Sequence, residues 1–238
     1  TTGHVEGQET IFQPAFVGQN RMIAFDGVDD KVTVADTSND HDNVFAGGGT
    51  ISAWVCPHST GGGTYGRVAD KGGWMLLASS ESGDTIKIGF NAVFGGNNMN
   101  SSSTTYAMTK NTWTHVVITY NSSSISNIPT HYANGSATGQ SDPTAGGSPT
   151  SGSVPDDSGN SMYIAGTSDS TRGWDGFVTE VSLWDEILTA AQVQELYNDG
   201  VSLKATEHSL YTADNTNLKG YWVNNSLTTA GLWEDLST

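Results

Sequence analysis

Short runs of β-branched and aromatic residues recur along this chain and are separated by turns that contain glycine or asparagine. Residues 50–56 (TISAWVC) and 113–120 (WTHVVITY) are the strongest of these runs. Residues 131–138 (HYANGSAT) predict a hairpin with Asn-Gly at its tip, the most specific short turn signal in a sequence. Many short strands joined by tight turns are typical of an all-β sandwich or barrel.

The weaker segments have the same pattern. Residues 74–78 and 85–90 are predicted to pair across a turn at residues 82–84 (SGD). Residues 95–105 (GGNNMNSSSTT) and 139–160 are rich in small polar residues. This composition predicts two loops, the second of them a long surface loop.

One helix is predicted after these strands. Thr189 and Gln192 form a capping box, and Gly200 supplies a stop. A lone helix after many strands is expected to pack on the edge of a sandwich, and it does not indicate an α/β fold. Residues 1–20 show weak alternation and are expected to form an edge strand or an irregular arm.

The composition agrees with one large all-β unit, because glycine numbers 29 against 6 prolines and only 14% of residues are charged. Sandwiches of about this length often fold as single domains. We therefore predict one domain over residues 1–238, with a core at about 21–200. The tail at 201–238 is expected to pack on the sandwich or to lead to a following repeat.

The formal net charge of −16 comes from 25 acidic and 9 basic residues. Nucleic acids and anionic membranes are bound through lysine and arginine, so this charge argues against both as partners. No apolar stretch reaches the length of a membrane span. The single cysteine, Cys56, is expected to be a small core residue rather than a nucleophile. Because the chain begins without methionine or a signal peptide, we expect a processed product or an excised segment.

Several segments taken together resemble laminin G-like domains of the concanavalin A-like superfamily. The similarity covers about residues 25–200, with the segments in the expected order and spacing. It implies a two-sheet antiparallel β-sandwich of the jelly-roll type, with one short helix on its C-terminal side. The matching segments are FDGVDDKVTV (25–34), TISAWV (50–55), DKGG (70–73), NTWTHVVITY (111–120), YANG (132–135), YIAG (163–166), GFVTEV (176–181) and LYNDG (196–200).

The tail departs from this core. The segments GYW (220–222) and LWEDLS (232–237) resemble the stretch that precedes the next domain in tandem arrays. Residues 2–3 resemble the residues that follow this preceding stretch in such arrays. Such arrays are found in surface proteins of marine bacteria and in virion proteins of their phages. The resemblance implies a permuted array unit, or a tail that covers a sheet edge, in an extracellular, cell-surface or virion-surface protein.

Some relatives of this fold cleave polysaccharides, and their catalytic patterns are absent from this sequence. The glucanase relatives carry Glu-x-Asp-x-Glu on one strand, because retaining hydrolysis needs two carboxylates about 5 Å apart. The strongest predicted strands, at 50–56 and 113–120, contain no carboxylate. The Gln-x-His and Tyr-x-Lys strands of the alginate lyase relatives are also missing. No catalytic residue is therefore assigned.

The resemblance also implies a structural Ca²⁺ where the first strands meet a late strand of the sandwich. Asp26, Asp29 and Asp30 cluster in one acidic turn, and Glu180 is the matching late-strand carboxylate. Ca²⁺ takes six to eight oxygen ligands, and such a turn supplies them. Thr179 stands where relatives more often carry aspartate, so one expected ligand is missing. The alternative is an acidic, solvated turn without a metal.

Relatives of this fold bind sugars through loops over the concave face, where an aromatic ring stacks on the sugar and polar groups bind its hydroxyls. Trp174, between glycines in TRGWDG (171–176), is the predicted exposed aromatic. Trp113 is expected to lie in the core, and the same alternative is open for Trp74. The candidate ligand-binding residues are Trp174, Tyr65, Arg67, Asp70, Trp74, Asn97, Asn98, Tyr106, Arg172 and Asp175.

These features lead to three hypotheses about function. The first is a non-catalytic carbohydrate-binding module that recognises a glycan or a cell-surface polysaccharide. The second is a structural or adhesive module, such as a virion decoration or array domain, whose partners are copies of itself or its tandem neighbours. The third is a polysaccharide-cleaving enzyme, which requires a pair of carboxylates in a cleft.

Overall fold

The computed structural model describes residues 24–35, 40–95, 97–141, 148–211, 217–223 and 235–237. The predicted arm at residues 1–20 lies outside these ranges. Within them, two antiparallel sheets form a sandwich, which confirms the predicted fold class. The elements are β1 (Ala24–Asp26), β2 (Val32–Val34), α1 (Val44–Gly47), β3 (Gly49–Pro57), β4 (Arg67–Asp70), β5 (Trp74–Ser82), β6 (Thr85–Ala92), β7 (Met99–Ser103), β8 (Met108–Thr109), β9 (Thr114–Tyr120), β10 (Thr130–Ala133), β11 (Ser136–Ala137), β12 (Gln140–Ser141), β13 (Met162–Ile164), β14 (Asp175–Trp184), α2 (Ala190–Tyr197) and β15 (Leu218–Trp222).

The sheets differ in how their strands are ordered. Sheet A has seven of the described strands in the order β1-β14-β3-β9-β10-β11, with β15 also paired to β14. Sheet B has eight, in the order β12-β7-β6-β5-β4-β13-β2, with β8 paired to β6. β1 and β15 both pair with the edge of β14 that β3 does not occupy. Phe25 of β1 lies opposite Gly176 near the start of β14, and Tyr221 of β15 lies opposite Ser182 near its end. The segment at 218–222 is thus a strand of sheet A.

The main core lies between the two sheets, and every second side chain of a strand points into it. In β6, Ile86, Ile88 and Phe90 are buried in this core, whereas Lys87 points the other way and is only half-buried. The central strands β3 and β9 are buried along their whole length. Burial on both faces of these strands requires a second apolar layer outside sheet A.

The helix α2 supplies that second layer. Its Val193 and Leu196 join a buried cluster with Trp184 of β14, and its Tyr197 stacks on Trp54 of β3 at a centroid distance of 5.9 Å. The expectation that the helix packs on a sheet edge is wrong, because these contacts lie on the outer face of central strands. The capping box of Thr189 and Gln192 is confirmed, and Cys56 and Trp113 are buried as expected.

The loop predicted at residues 95–105 is wrong at its centre, since Met99–Ser103 forms β7 and pairs with β6. Serine and asparagine have low strand propensity, but hydrogen bonds satisfy the side chains that point inward. Ser101 Oγ donates to the Phe90 carbonyl oxygen (3.2 Å) and bonds His131 Nε2 (2.9 Å). Non-local pairing therefore outweighs the local propensity.

The predicted surface loop at 139–160 is partly built into the fold. Gln140–Ser141 forms β12 and pairs with β7. Asp157 is buried, and its carboxylate accepts a hydrogen bond from the Asn43 amide (2.7 Å). The end of this segment thus packs against the turn before α1.

Candidate ligand-binding site

Three loops meet at one end of the sandwich, and we call this region the three-loop end. They comprise residues 26–30, residues 58–66 and residues 167–175. Gly62 N donates to the Gly173 carbonyl oxygen (2.8 Å) and so joins the second loop to the third. Most of the predicted ligand-binding residues with basic, acidic or exposed aromatic side chains lie in or beside these loops.

Close backbone approach at this end depends on glycine. Gly61 has φ +71°, and a Cβ atom there would lie 2.4 Å from the Gly173 carbonyl oxygen. Only glycine allows this conformation and this contact together. Gly27 N donates to the Trp174 carbonyl oxygen (2.9 Å), which holds the first loop against the third. The loops are therefore fixed by their backbones before any ligand arrives.

Tyr65 is the exposed aromatic residue of the three-loop end, with 46% of its surface accessible. The Arg172 guanidinium carbon lies 5.6 Å from the centroid of its ring, a cation–π arrangement. Arg172 Nη1 also donates to the Gly63 carbonyl oxygen (2.6 Å). The ring and the guanidinium thus share one surface.

Arg67 and Asp70 form an ion pair beside Tyr65. Arg67 Nε lies 3.1 Å from Asp70 Oδ2, and Arg67 Nη1 donates to the Tyr65 carbonyl oxygen (2.8 Å). Burial raises the pKa of Asp70, although the Gly72 amide and Arg67 act to lower it. Burial also lowers the pKa of Arg67, which Asp70 opposes. The pair is thus bonded to the Tyr65 backbone and is largely withdrawn from solvent.

Asp175 joins the third loop to the second. Its Oδ2 accepts a hydrogen bond from Ser59 Oγ (2.5 Å), and its Oδ1 lies 3.5 Å from His58 Nδ1. His58 and Ser59 were not among the residues predicted from sequence. No spacing signal could have identified them, since the contact joins residues more than a hundred positions apart.

Trp174 does not reach the surface. Its side chain is fully buried in the core between the sheets, and its indole N–H donates to the Phe177 carbonyl oxygen (3.3 Å). The prediction that it is exposed is wrong, because flanking glycines shape the backbone but do not set the side-chain direction. Trp74 is also fully buried, against Phe45 at a centroid distance of 5.1 Å. Neither indole offers a face to a sugar.

The structure does not bring Asn97, Asn98 and Tyr106 to the three-loop end. Asn97 and Asn98 are exposed in the turn before β7. Tyr106 is 41% exposed and pairs with Lys87, whose Nζ lies 5.1 Å from the ring centroid. Tyr65 leads into β4 and Tyr106 into β8, and β5 and β6 lie between these strands. Three strand spacings correspond to about 14 Å.

The acidic turn brings three of the four predicted metal ligands together. The carboxylates of Asp26, Asp29 and Asp30 lie within 4.8 Å of one another, and all three residues are exposed. They are hard oxygen ligands of the kind that Ca²⁺ binds. Two of their oxygens also accept backbone hydrogen bonds, from Val28 N to Asp26 and from Asp26 N to Asp30. These bonds agree equally with an acidic turn that holds no metal.

Glu180 is not part of this turn. Asp26 lies opposite Asp175, and Glu180 is five residues further along β14, about 16 Å away along a strand. A bulge between Thr179 and Ser182 gives Glu180 φ +52°, and its carboxylate accepts a hydrogen bond from the Tyr221 hydroxyl. The predicted four-ligand set is therefore wrong for Glu180, because its position on β14 is too far from the acidic turn to share an ion with it.

A family model described as the concanavalin A-like lectin/glucanases superfamily matches residues 26–194. The chain belongs to this superfamily. The match confirms the resemblance to concanavalin A-like domains that the sequence segments indicated. A comparison with curated proteins gave no match.

Two solved structures share the fold of this concanavalin A-like chain at low sequence identity. A heptameric SAP-like pentraxin from Limulus polyphemus is 16% identical, with a TM-score of 0.50 over 89% of this chain and 91% of that one. A protein from Bacteroides ovatus with a proposed carbohydrate-binding role is 18% identical, with a TM-score of 0.52 over 91% of this chain and 56% of that one. The chain therefore spans little more than half of the second protein.

No helix in the described ranges is long and apolar enough to cross a membrane.

A polar recess lies beneath α2 on the outer face of sheet A of this concanavalin A-like chain. Ser52 Oγ and His115 Nε2 are 2.8 Å apart, and Glu180 and Tyr221 line the same recess. Sequence patterns gave no sign of it. A serine beside a histidine is the pairing of many nucleophilic enzymes. The space left is about 10 Å³, the least that one water molecule needs, so no sugar fits beside Ser52.

Calcium binding at the acidic turn stays a prediction. We expect Ca²⁺ at a hundred times its dissociation constant to stabilise the folded chain by about 2.7 kcal/mol relative to EDTA. Thermal melting curves in the two conditions measure this shift. Asp29→Asn should reduce it, whereas Glu180→Gln should not, because Glu180 is remote from the turn. Identical midpoints in Ca²⁺ and EDTA would contradict the prediction.

Proposed function

We propose that this chain is an extracellular, non-catalytic glycan-binding module and that it binds its ligand at the three-loop end. The observation that carries the proposal is the exposed Tyr65 ring beside the Arg172 guanidinium. An exposed ring at a rigid loop surface suits the apolar face of a sugar, and nearby charged groups suit its hydroxyls. Membership of a superfamily of lectins and glucanases is consistent with this function.

The surroundings of Tyr65 favour binding by a pre-formed surface. The loops are joined by backbone hydrogen bonds, such as that from Arg67 N to the Arg172 carbonyl oxygen (3.0 Å). The Arg67 side chain is held by Asp70 and by the Tyr65 carbonyl. Side chains fixed before binding lose little entropy when a ligand arrives, which favours affinity.

The non-catalytic part of the proposal has its own support. The two strongest strands, β3 and β9, carry no carboxylate, and the acidic turn is exposed rather than enclosed in a cleft. A purified chain should release no reducing sugar from any polysaccharide that it binds. Steady release would contradict the proposal and restore the hypothesis of a polysaccharide-cleaving enzyme.

Glycan binding is tested by a glycan array followed by calorimetry on the best ligand. We expect Tyr65→Ala to weaken binding at least tenfold, about 1.4 kcal/mol, because the stacking surface is lost. Tyr65→Phe should keep most of the affinity. Tyr106→Ala removes an equally exposed tyrosine elsewhere and should change little. Equal losses for both alanine variants would contradict the assignment to the three-loop end, and binding to no glycan would contradict the function itself.

The alternative of a structural or adhesive module predicts self-association. Light scattering of the purified chain measures it, and a strict monomer would count against copies of the chain as partners. Tandem neighbours and a virion surface stay predictions.

A further inference from the structure

We propose that the glycan bound at the three-loop end is acidic and that Arg172 binds its carboxylate or sulfate group. This inference rests on the proposed function and narrows it to one class of ligand. It starts from the hydrogen-bonding capacity that Arg172 leaves unused. A guanidinium has five N–H donors in a planar fork that matches carboxylate and sulfate oxygens.

Arg172 has no carboxylate partner among the described residues. Its Nη1 donates to the Gly63 carbonyl oxygen, and its guanidinium lies over the Tyr65 ring. Neither contact neutralises its charge. By contrast, Arg67, the other arginine in the described ranges, is paired with Asp70 at 3.1 Å.

The carboxylates of the third loop, and Asp70 beside it, are already engaged elsewhere. Asp169 accepts hydrogen bonds from the Thr167 and Thr171 hydroxyls (2.7 and 2.9 Å), and these bonds lower the pKa of Asp169 to about 2. Asp70 is held by Arg67, and Asp175 by Ser59. Each of these acidic groups thus has its own local partners, and Arg172 stays available for an external anion.

Five of the eight basic residues in the described ranges are paired with a carboxylate, whereas Arg172, Lys31 and Lys87 are not. Carboxylates outnumber basic residues by 25 to 9, so most cations can find an acidic partner. Burial lowers the pKa of Arg67, and the positive charge of Arg172 lowers it further. Arg172 thus places a positive charge beside the Arg67–Asp70 ion pair, since both arginines contact Tyr65. An anionic ligand at this point is attracted by the Arg172 charge, which no carboxylate of the described residues neutralises.

The neighbouring ring gives the site a second element of recognition. The exposed Tyr65 ring offers its free surface to the sugar, while the guanidinium lies within 5.6 Å of the ring centroid. A pyranose ring is of similar width, so its carboxylate or sulfate substituent can reach Arg172 while the ring contacts tyrosine. The combination predicts a uronate or a sulfated sugar rather than a neutral one.

The test uses two matched pairs of polysaccharides, each measured by calorimetry against the intact chain. Polygalacturonate and its methyl ester differ in the carboxylate, and a sulfated galactan and its desulfated form differ in the sulfate. We expect at least one acidic form to bind ten times or more tightly than its neutral partner. The pair that shows this preference identifies the anionic group. The preference should fall in high salt, since exposed charges are screened.

Variants then assign the preference to Arg172. Arg172→Gln should remove it, and Arg172→Lys should restore only part of it, because an ammonium lacks the bidentate fork. Lys204→Gln is the matched control, because it removes one exposed positive charge that is paired with Glu207 and lies away from the three-loop end. Melting curves for all variants confirm that they are folded.

Each result tests a different part of the proposal. Equal binding of acidic and neutral forms would overturn the acidic ligand while glycan binding stands. An acidic preference that survives Arg172→Gln would overturn the role of Arg172. Binding to neither pair, and to no glycan on the array, would overturn the proposed function as well.

Discussion

Replacing Lys71 by methionine is expected to lower the free energy of unfolding by about 3–5 kcal/mol, the usual cost of removing one partner from a buried ion pair. The Lys71 side chain is fully buried. Its Nζ donates to Asp42 Oδ1 (2.7 Å) and to the Asn160 carbonyl oxygen (2.8 Å), and it lies 3.7 Å from Asp157 Oδ1. Methionine fills a similar volume but leaves two carboxylates without a counter-charge. Urea denaturation at pH 7 measures the loss.

A pH comparison separates this electrostatic loss from poor packing. Burial raises the pKa of Asp157, and Lys71 acts to lower it, so removal of Lys71 should raise that pKa further. Lowering the pH from 7 to 5 should then reduce the loss, because Asp157 takes up a proton more readily once Lys71 is absent. Lys204→Met, in the exposed pair with Glu207, should cost less than about 1 kcal/mol. A small loss for Lys71→Met, or the same loss at both pH values, would contradict the interpretation.

Lowering the pH from 7 to 5 is expected to remove roughly 4 kcal/mol of stability through two buried histidines, each contributing about 2 kcal/mol. Burial lowers the pKa of His115 and of His131 from 6.5 to about 3. Each ring is hydrogen-bonded by a serine, Ser52 and Ser101 respectively. Between pH 6.5 and 3 the unfolded chain therefore binds more protons than the folded chain. Stability is complete above pH 6.5 and falls as the pH decreases below it.

Two buried carboxylates oppose part of this effect. Burial raises the pKa of Asp70 and of Asp157, so their protonation favours the folded chain as the pH falls. Urea unfolding at pH 7, 6 and 5 gives the net slope. His115→Gln and His131→Gln should each reduce the slope by about half, even where they lower stability at pH 7. A flat profile from pH 7 to pH 5, or unchanged slopes in both variants, would contradict the role of the histidines.

The features predicted correctly from sequence are those set by neighbouring residues. The hairpin at Asn134-Gly135 pairs Tyr132 with Ala137, as the turn chemistry requires. The capping box of Thr189 begins α2, because a helix end needs partners for its first amide groups. The strand predicted at residues 85–90 is likewise present, as part of β6. Such signals can be read from short windows.

The errors fall where the decisive partner is distant in sequence. The strand at Met99–Ser103 exists because β6 pairs with it and because Ser101 finds hydrogen-bond partners. Trp174 is buried because the core has room for its ring, which its flanking glycines do not reveal. Glu180 lies far from the acidic turn because the register of β1 on β14 places Asp26 opposite Asp175.

By itself, the sequence determined the strand-rich class of this protein, its superfamily, its acidic surface and the lack of carboxylates on the two strongest strands. The superfamily follows from the resemblance of several ordered segments to known domains, and the other features depend on period, turn chemistry and composition. Only the tertiary structure decided which residues lie together. In it, Tyr65 contacts Arg172, and Trp174 is buried in the core. Lys71 is buried beside Asp42 and Asp157. Contacts between distant residues depend on the packing of whole sheets, and no short window of sequence contains that information.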